Sequence, residues 1–210
     1  PLGEERAEGR TPTMPPRIAN PPQLSFAAAS CQSLEQGYYT AYDRMAKDEL
    51  DLVFHLGDYI YEYNAGNQGN IRKHHGGEIV SLSDYRVRHA QYKLDPALQK
   101  AHARCPWFVT WDDHEVDNNC ADEISEQKNV KPVDFLIRRA AAYQAYYENM
   151  PLRRTSLPAG PYLQLYRRGA FGQLAEFIVL DGRQYRSDQP NNDVRSPLNE
   201  EALNPETTML

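Results

Sequence analysis

The chain has 210 residues, 40% of them hydrophobic, enough for one domain with a sizeable core. Twenty-nine acids against 23 bases give a formal net charge of −6, and no Lys/Arg stripe is available to displace counterions, so binding to a nucleic-acid backbone is not expected. No run approaches the roughly 18 apolar residues of a membrane span, so a membrane is expected only as a substrate surface.

Residues 1–23 are rich in Pro, Gly and charge and read as a linker from an upstream domain. The first residue is Pro1, not Met, and no signal peptide is visible, so the chain reads as an excised piece. Order is expected to start at LSFAAASCQ, an apolar run ending in Ser30-Cys31. Tyr38, Tyr42 and Met45 follow at i, i+4 and i+7, the spacing of a helix. LDLVFHLGDYIYEY then lacks polar alternation and predicts a strand covered on both faces, stopped by Gly57-Asp58.

YNAGNQGNIRKHHGG is too glycine-rich for regular structure, and its His74 and His75 read as solvated, with a substrate lid as the minor alternative. SLSDYRVRHAQYK and DPALQKAHAR predict two helices, the second capped by Asp95 with Pro96 at its first position. WFVTWDDHE is the next strand. Leu136, Ala140, Tyr143, Tyr147 and Met150 define one face of a later helix closed by Pro151. YLQLYRR and QLAEFIVLD flank a Gly-Ala-Phe-Gly turn and predict a β-hairpin, and the tail from Ser187 is polar without apolar periodicity.

Strand–helix alternation predicts an α/β sheet. Four apolar runs end in Ser30-Cys31, Gly57-Asp58, Asp112-Asp113 and Asp181-Gly182-Arg183. Ligand crevices in such sheets lie at the carboxyl ends of strands, so these termini are expected to meet. Asp58 can offer two oxygens and bridge two metals, and Tyr61 could bring a phenolate to the same place. TWDDHEVDNN concentrates acids that would repel without cations. Alternation along a strand admits one of Asp112 and Asp113; Asp113 is favoured, leaving Asp112 to orient its neighbours. Asn118 or Asn119 could add a neutral oxygen. His114 reads either as a ligand or as a proton donor to a leaving group.

Cys31 at a strand end, before a helix start, is read as a thiolate ligand. Thiolate with phenolate suits a redox-capable transition metal, iron before magnesium. Cys105 and Cys120 read as core residues or a weak disulfide pair. Arg183 reads equally as a clamp for an anionic oxygen and as an ion pair holding Asp181.

SCQSLEQGYYTAYDRMA, HLGDYIYEY, YRVRHAQYKLDPALQKAHARCPWFVTWDDHEVDNN and FIVLDGRQYRSDQP resemble, in order and spacing, the PhoD-like alkaline phosphatases, a family that includes phospholipase D enzymes. The resemblance covers about residues 24–190. It implies the four-layer α/β/β/α metallophosphoesterase sandwich, with residues 24–210 as the N-terminal part of the catalytic domain and its C-terminal portion missing. It also implies a secreted enzyme that hydrolyses phosphate mono- and diesters with a metal-activated hydroxide.

The implied cofactors are a ferric ion, Fe(III), with calcium, Ca(II), other divalent metals being substitutes. Cys31, Asp58 and Tyr61 resemble the iron ligands, with Asp58 bridging. Asp113 and Asn118 resemble ligands of the divalent ion, and His114 falls near the scissile phosphate. Family members carry further histidine ligands in a later segment, whereas no His follows His114 here. The expected partners are a phosphate-ester substrate and the C-terminal portion of the same polypeptide or a nicked partner chain, without which little activity is expected and an apolar sheet edge or face is left exposed. Phospholipase D action on phosphatidylcholine is the runner-up activity, and an inactive metal- or partner-binding fragment is the reading from another class.

Overall fold

The computed structural model describes residues 13–189. Its order is β1 (Phe26–Ala29), α1 (Thr40–Met45), β2 (Leu52–His55), α2 (Leu82–Lys93), α3 (Pro96–Arg104), β3 (Trp107–Val109), α4 (Pro132–Asn149), β4 (Arg167–Phe171) and β5 (Ala175–Val179). The chain is a mixed α/β structure. β1, β2 and β3 form a parallel sheet in that spatial order, and β4 and β5 form a separate antiparallel hairpin.

Alternation along β2 and β3 divides the sheet into two faces. On one, Trp107 stacks on His102 of α3 at 3.8 Å and lies 5.9 Å from Tyr42 of α1. On the other, Phe177 of β5 meets Phe54 at 5.0 Å and Phe108 at 5.7 Å. The hairpin approaches so closely that a Cβ at Gly169 would stand 2.8 Å from the Phe108 ring. Helices therefore cover one face and the hairpin part of the other. The uncovered part is visible in Phe26, 54% exposed, while Ile178 and Leu180, out of phase with Phe177 along the hairpin, are 61% and 69% exposed on its other side. Among the described residues, no strand pairs with the outer edge of β1.

Local chemistry accounts for the helix starts. Ser81 and Asp84 form a reciprocal capping box at α2, with Ser81 N donating to Asp84 at 2.9 Å and Asp84 N to Ser81 at 3.2 Å. Asp95 Oδ1 accepts from Ala97 N and Leu98 N at 2.8 and 3.1 Å, with Pro96 opening α3. No helix is long and apolar enough to cross a membrane among the described residues.

Several expectations are corrected. Tyr38 lies outside α1 and is exposed. The buried face of α4 runs through Phe135, Arg138, Arg139, Ala142, Tyr143 and Tyr146, so Leu136, Ala140 and Tyr147 sit at its margin. That helix buries two arginines, which an apolar-only pattern passes over: Arg138 bridges Asp117 at 3.0 Å, and Arg139 donates to the Asp122 carbonyl at 2.6 Å. The hairpin turn is at Gly172–Leu174, sharing only Gly172 with the expected Gly-Ala-Phe-Gly, because Gly169–Phe171 remain in β4. His74 is buried, its ring against Tyr63 O at 3.1 Å and Tyr92 Oη at 2.9 Å. All three cysteines are free, with Cys105 and Cys120 buried. Residues 13–23 have no regular structure but dock on the hairpin, Gln173 N donating to Ala19 O at 2.8 Å. Residues 1–12 of the expected linker, and the tail beyond residue 189, lie outside the described residues.

Candidate metal centre at the strand ends

The register places Ala29, His55 and Val109 side by side, so β1, β2 and β3 end level and discharge their loops together. Two main-chain hydrogen bonds join the first two loops: Cys31 N donates to Gly57 O and Gln32 N to Asp58 O, both at 3.1 Å. The third loop presses on the second. Gly57 has φ +111°, and a Cβ there would stand 2.3 Å from Asp112 N. Cys31 and Asp58 themselves adopt φ of 56° and 55°, a left-handed conformation that costs a non-glycine residue about 1–3 kcal/mol and persists only where its surroundings enforce it.

At this junction Asp58, Asp113 and His114 each offer a ligand atom, all within 4.8 Å of one another. Tyr61 Oη donates to Asp58 Oδ2 at 3.2 Å, and the charge of the same carboxyl acts on the Cys31 thiol. Asp58 is 6% exposed, and its Oδ1 is buried without a hydrogen-bond partner. A buried carboxylate oxygen facing a second acid and lacking a donor is costly, and a bound cation would satisfy it. The donor set of thiol, phenol, two carboxylates and imidazole fits a transition metal beside a harder cation.

The titrations follow the crowding. Burial pushes the Asp58 carboxyl up, and Asp113 and Asp112 add to it. Burial and then Asp58 push the Tyr61 phenol up. Cys31 is also raised, by burial first and then by Asp58, and it precedes only a single-turn 3-10 segment at Leu34–Gln36. The expected activation by an α-helix N-terminus is absent; a bound cation would have to stabilise the thiolate.

β3 ends at Val109, so strand alternation does not decide between Asp112 and Asp113. A tight turn from Asp113 to Asp117 does, with Val116 N and Asp117 N donating to Asp113 O at 2.8 and 2.9 Å. Asp113 is buried inside the cluster, while the Asp112 side chain is 44% exposed. Arg183 reaches both, Nε to Asp112 at 2.5 Å and an Nη to Asp113 at 3.0 Å. Its guanidinium does not pair with Asp181, whose Oδ1 accepts from Trp111 Nε1 at 2.9 Å and from the main-chain N of Arg183 and Gln184 at 3.1 and 2.9 Å. Asn118 sends its amide nitrogen to Glu126, and so does Asn119, whose main-chain N–H donates to Asp113 Oδ2 at 2.7 Å.

Two buried acids were not singled out from the sequence. Glu62 Oε2 lies 2.8 Å from His114 Nδ1, and its Oε1 accepts from Asn118 N at 2.8 Å. Burial opposes charge on His114, but the Glu62 hydrogen bond and the surrounding carboxylates outweigh it and raise the imidazole to about 9. Glu115 accepts from Tyr59 N at 2.6 Å, Asp112 N at 2.9 Å and Asp58 N at 3.1 Å. Burial pushes its carboxyl up to about 8, while the three N–H donors pull the other way. Acids immediately flanking the two motifs, in YIYE and DDHE, were the available signal.

A family model described as PhoD-like phosphatase matches residues 26–210. The chain belongs to this family. It is 59% identical over 206 residues to alkaline phosphatase D of Bacillus subtilis (strain 168), an alignment covering 96% of this chain and 35% of that protein. A solved structure titled "Structure of PhoD" superposes with a TM-score of 0.92 at 58% identity, covering 96% of this chain and 39% of the other. The chain thus spans little more than a third of the relatives it matches.

Proposed function

We propose that the chain supplies the N-terminal part of the catalytic domain of a secreted, metal-dependent phosphoesterase of the PhoD-like family, whose remaining portion, on the same polypeptide or a nicked partner, completes an α/β/β/α sandwich. The supporting observation is the buried, unpartnered Oδ1 of Asp58 beside Asp113, His114, Tyr61 and Cys31. In this reading Cys31, Asp58 and Tyr61 would hold Fe(III), and Asp58, Asp113 and Asn118 would hold Ca(II).

The cations would supply Lewis-acid activation of water and neutralise phosphate charge. The chain's own residues divide the remaining work. Asp58 sits between the two halves of the site. Arg183 holds Asp113 from behind, fixing which way its free lone pairs face. Glu62 accepts from His114 Nδ1 and stabilises the imidazolium, whose Nε2–H can pass a proton to the leaving oxygen. The surface left open at Phe26, Ile178 and Leu180 favours a covering portion over a free-standing fragment.

The test is elemental analysis of the full-length protein, then hydrolysis of p-nitrophenyl phosphate, a bis-ester and phosphatidylcholine before and after chelation. Stoichiometric iron and calcium, with ester hydrolysis lost on chelation and restored on reloading, is expected. Exclusive turnover of phosphatidylcholine would favour the phospholipase reading, and a protein without metal or activity would overturn the proposal in favour of an inactive binding fragment.

A further inference from the structure

We propose that Glu115 is a positioning residue that sets the separation of Asp58 and Asp113 before any cation arrives; the inference rests on the metal-dependent reading above. Glu115 is 1% exposed, and the hydrogen bonds it makes are to main-chain N–H groups of two different loops. One oxygen takes Tyr59 N. The other is shared by Asp58 N and Asp112 N. Glu115 itself belongs to the tight turn that begins at Asp113, so its position follows that residue. Its carboxyl therefore ties the backbone of one prospective ligand to the turn bearing another, across 57 positions of sequence.

The need for such a tie is visible on both sides. Asp58 is held in a left-handed conformation that its own preferences oppose, and fixed N–H partners at Asp58 and Tyr59 enforce it. Asp58 and Asp113 are buried acids that repel, so nothing in their own charges keeps them close without a cation. Gly57 permits the loops to touch at Asp112, and Glu115 keeps them touching. A ligand pair fixed in advance loses less freedom on binding, the general source of preorganised affinity.

Glu115→Gln keeps size and shape but turns an NH2 toward N–H groups that need an acceptor. Glu115→Asp keeps the carboxyl but is one methylene too short to reach all three donors. The experiment measures Ca(II) dissociation constants of the full-length wild type and both variants calorimetrically, well below their melting temperatures. Weakening of about 10- to 100-fold is expected for Glu115→Gln, with Glu115→Asp between it and wild type. A purely structural role would lower melting temperature and leave the affinity of the folded protein unchanged. Constants within twofold of wild type for both variants, or failure of both to fold, overturns the proposal. A wild-type protein that takes up no metal refutes the phosphoesterase reading itself, a different result from variants that bind as wild type does.

Discussion

Glu62 and His114 are 52 positions apart in the sequence and 2.8 Å apart in space. The contact is one half of an exchange: Glu62, on the second loop, holds His114 and Asn118 of the third, while Glu115, on the third, holds Asp58 and Tyr59 of the second. Neither acid has to touch substrate to govern the site.

Glu62→Gln places an amide against two N–H donors, so His114 loses the carboxylate that keeps it protonated or Asn118 its partner. Turnover in the full-length enzyme is expected to fall about 10- to 100-fold. The loss should be larger for an alkyl phosphate than for p-nitrophenyl phosphate, whose leaving group needs no proton. Equal losses on both substrates would mean that Glu62 serves the fold and not the proton.

Arg183→Ala leaves Asp113 buried without its guanidinium partner. Breaking a buried pair in this way costs about 3–5 kcal/mol, and Arg183→Lys should recover only part, because one ammonium cannot span Asp112 and Asp113 as the guanidinium does. Chemical denaturation of the full-length protein measures both.

Gly57→Ala imposes a side chain where φ is +111° and the next loop stands 2.3 Å from the added carbon. Loss of metal uptake is expected together with a stability loss of more than about 3 kcal/mol. Gly37→Ala, where nothing lies within 4 Å of an added carbon, is the matched control and should be near neutral.

Acid should destabilise the protein through its interior histidines. Burial lowers His55, His89 and His102 to about 3. Their unfolded value is about 6.5, so as pH falls the unfolded chain takes up protons first. The stability they contribute is complete above about pH 6.5 and is lost as pH falls toward 3, at about 1.4 kcal/mol per pH unit for each histidine. Denaturant midpoints between pH 7.5 and 5 test this, and His89→Phe should flatten the slope by roughly one histidine's share.

What the sequence revealed, and what it hid, follows from the range of each interaction. The Ser81–Asp84 box, the Asp95-Pro96 start and the Gly57-Asp58 stop are short-range, and each is written within a few residues. The meeting of Asp58 with Asp113 was legible because parallel strands end on one side. The grip of Glu62 on His114, of Glu115 on Asp58 and of Arg183 on Asp112 joins residues 52, 57 and 71 positions apart, with no local spacing to betray it. The phase of α4 was misread for a related reason. Arg138 and Arg139 look like surface residues until their distant acceptors are placed around them.

The outer margin of β1, unpaired among the described residues, has a practical side. Its main-chain groups face outward beside the exposed Phe26 ring, a template on which a second molecule can add a strand. A preparation of this stretch by itself would meet a colloidal problem before an enzymological one: turbidity rising with concentration, and relieved by Phe26→Lys.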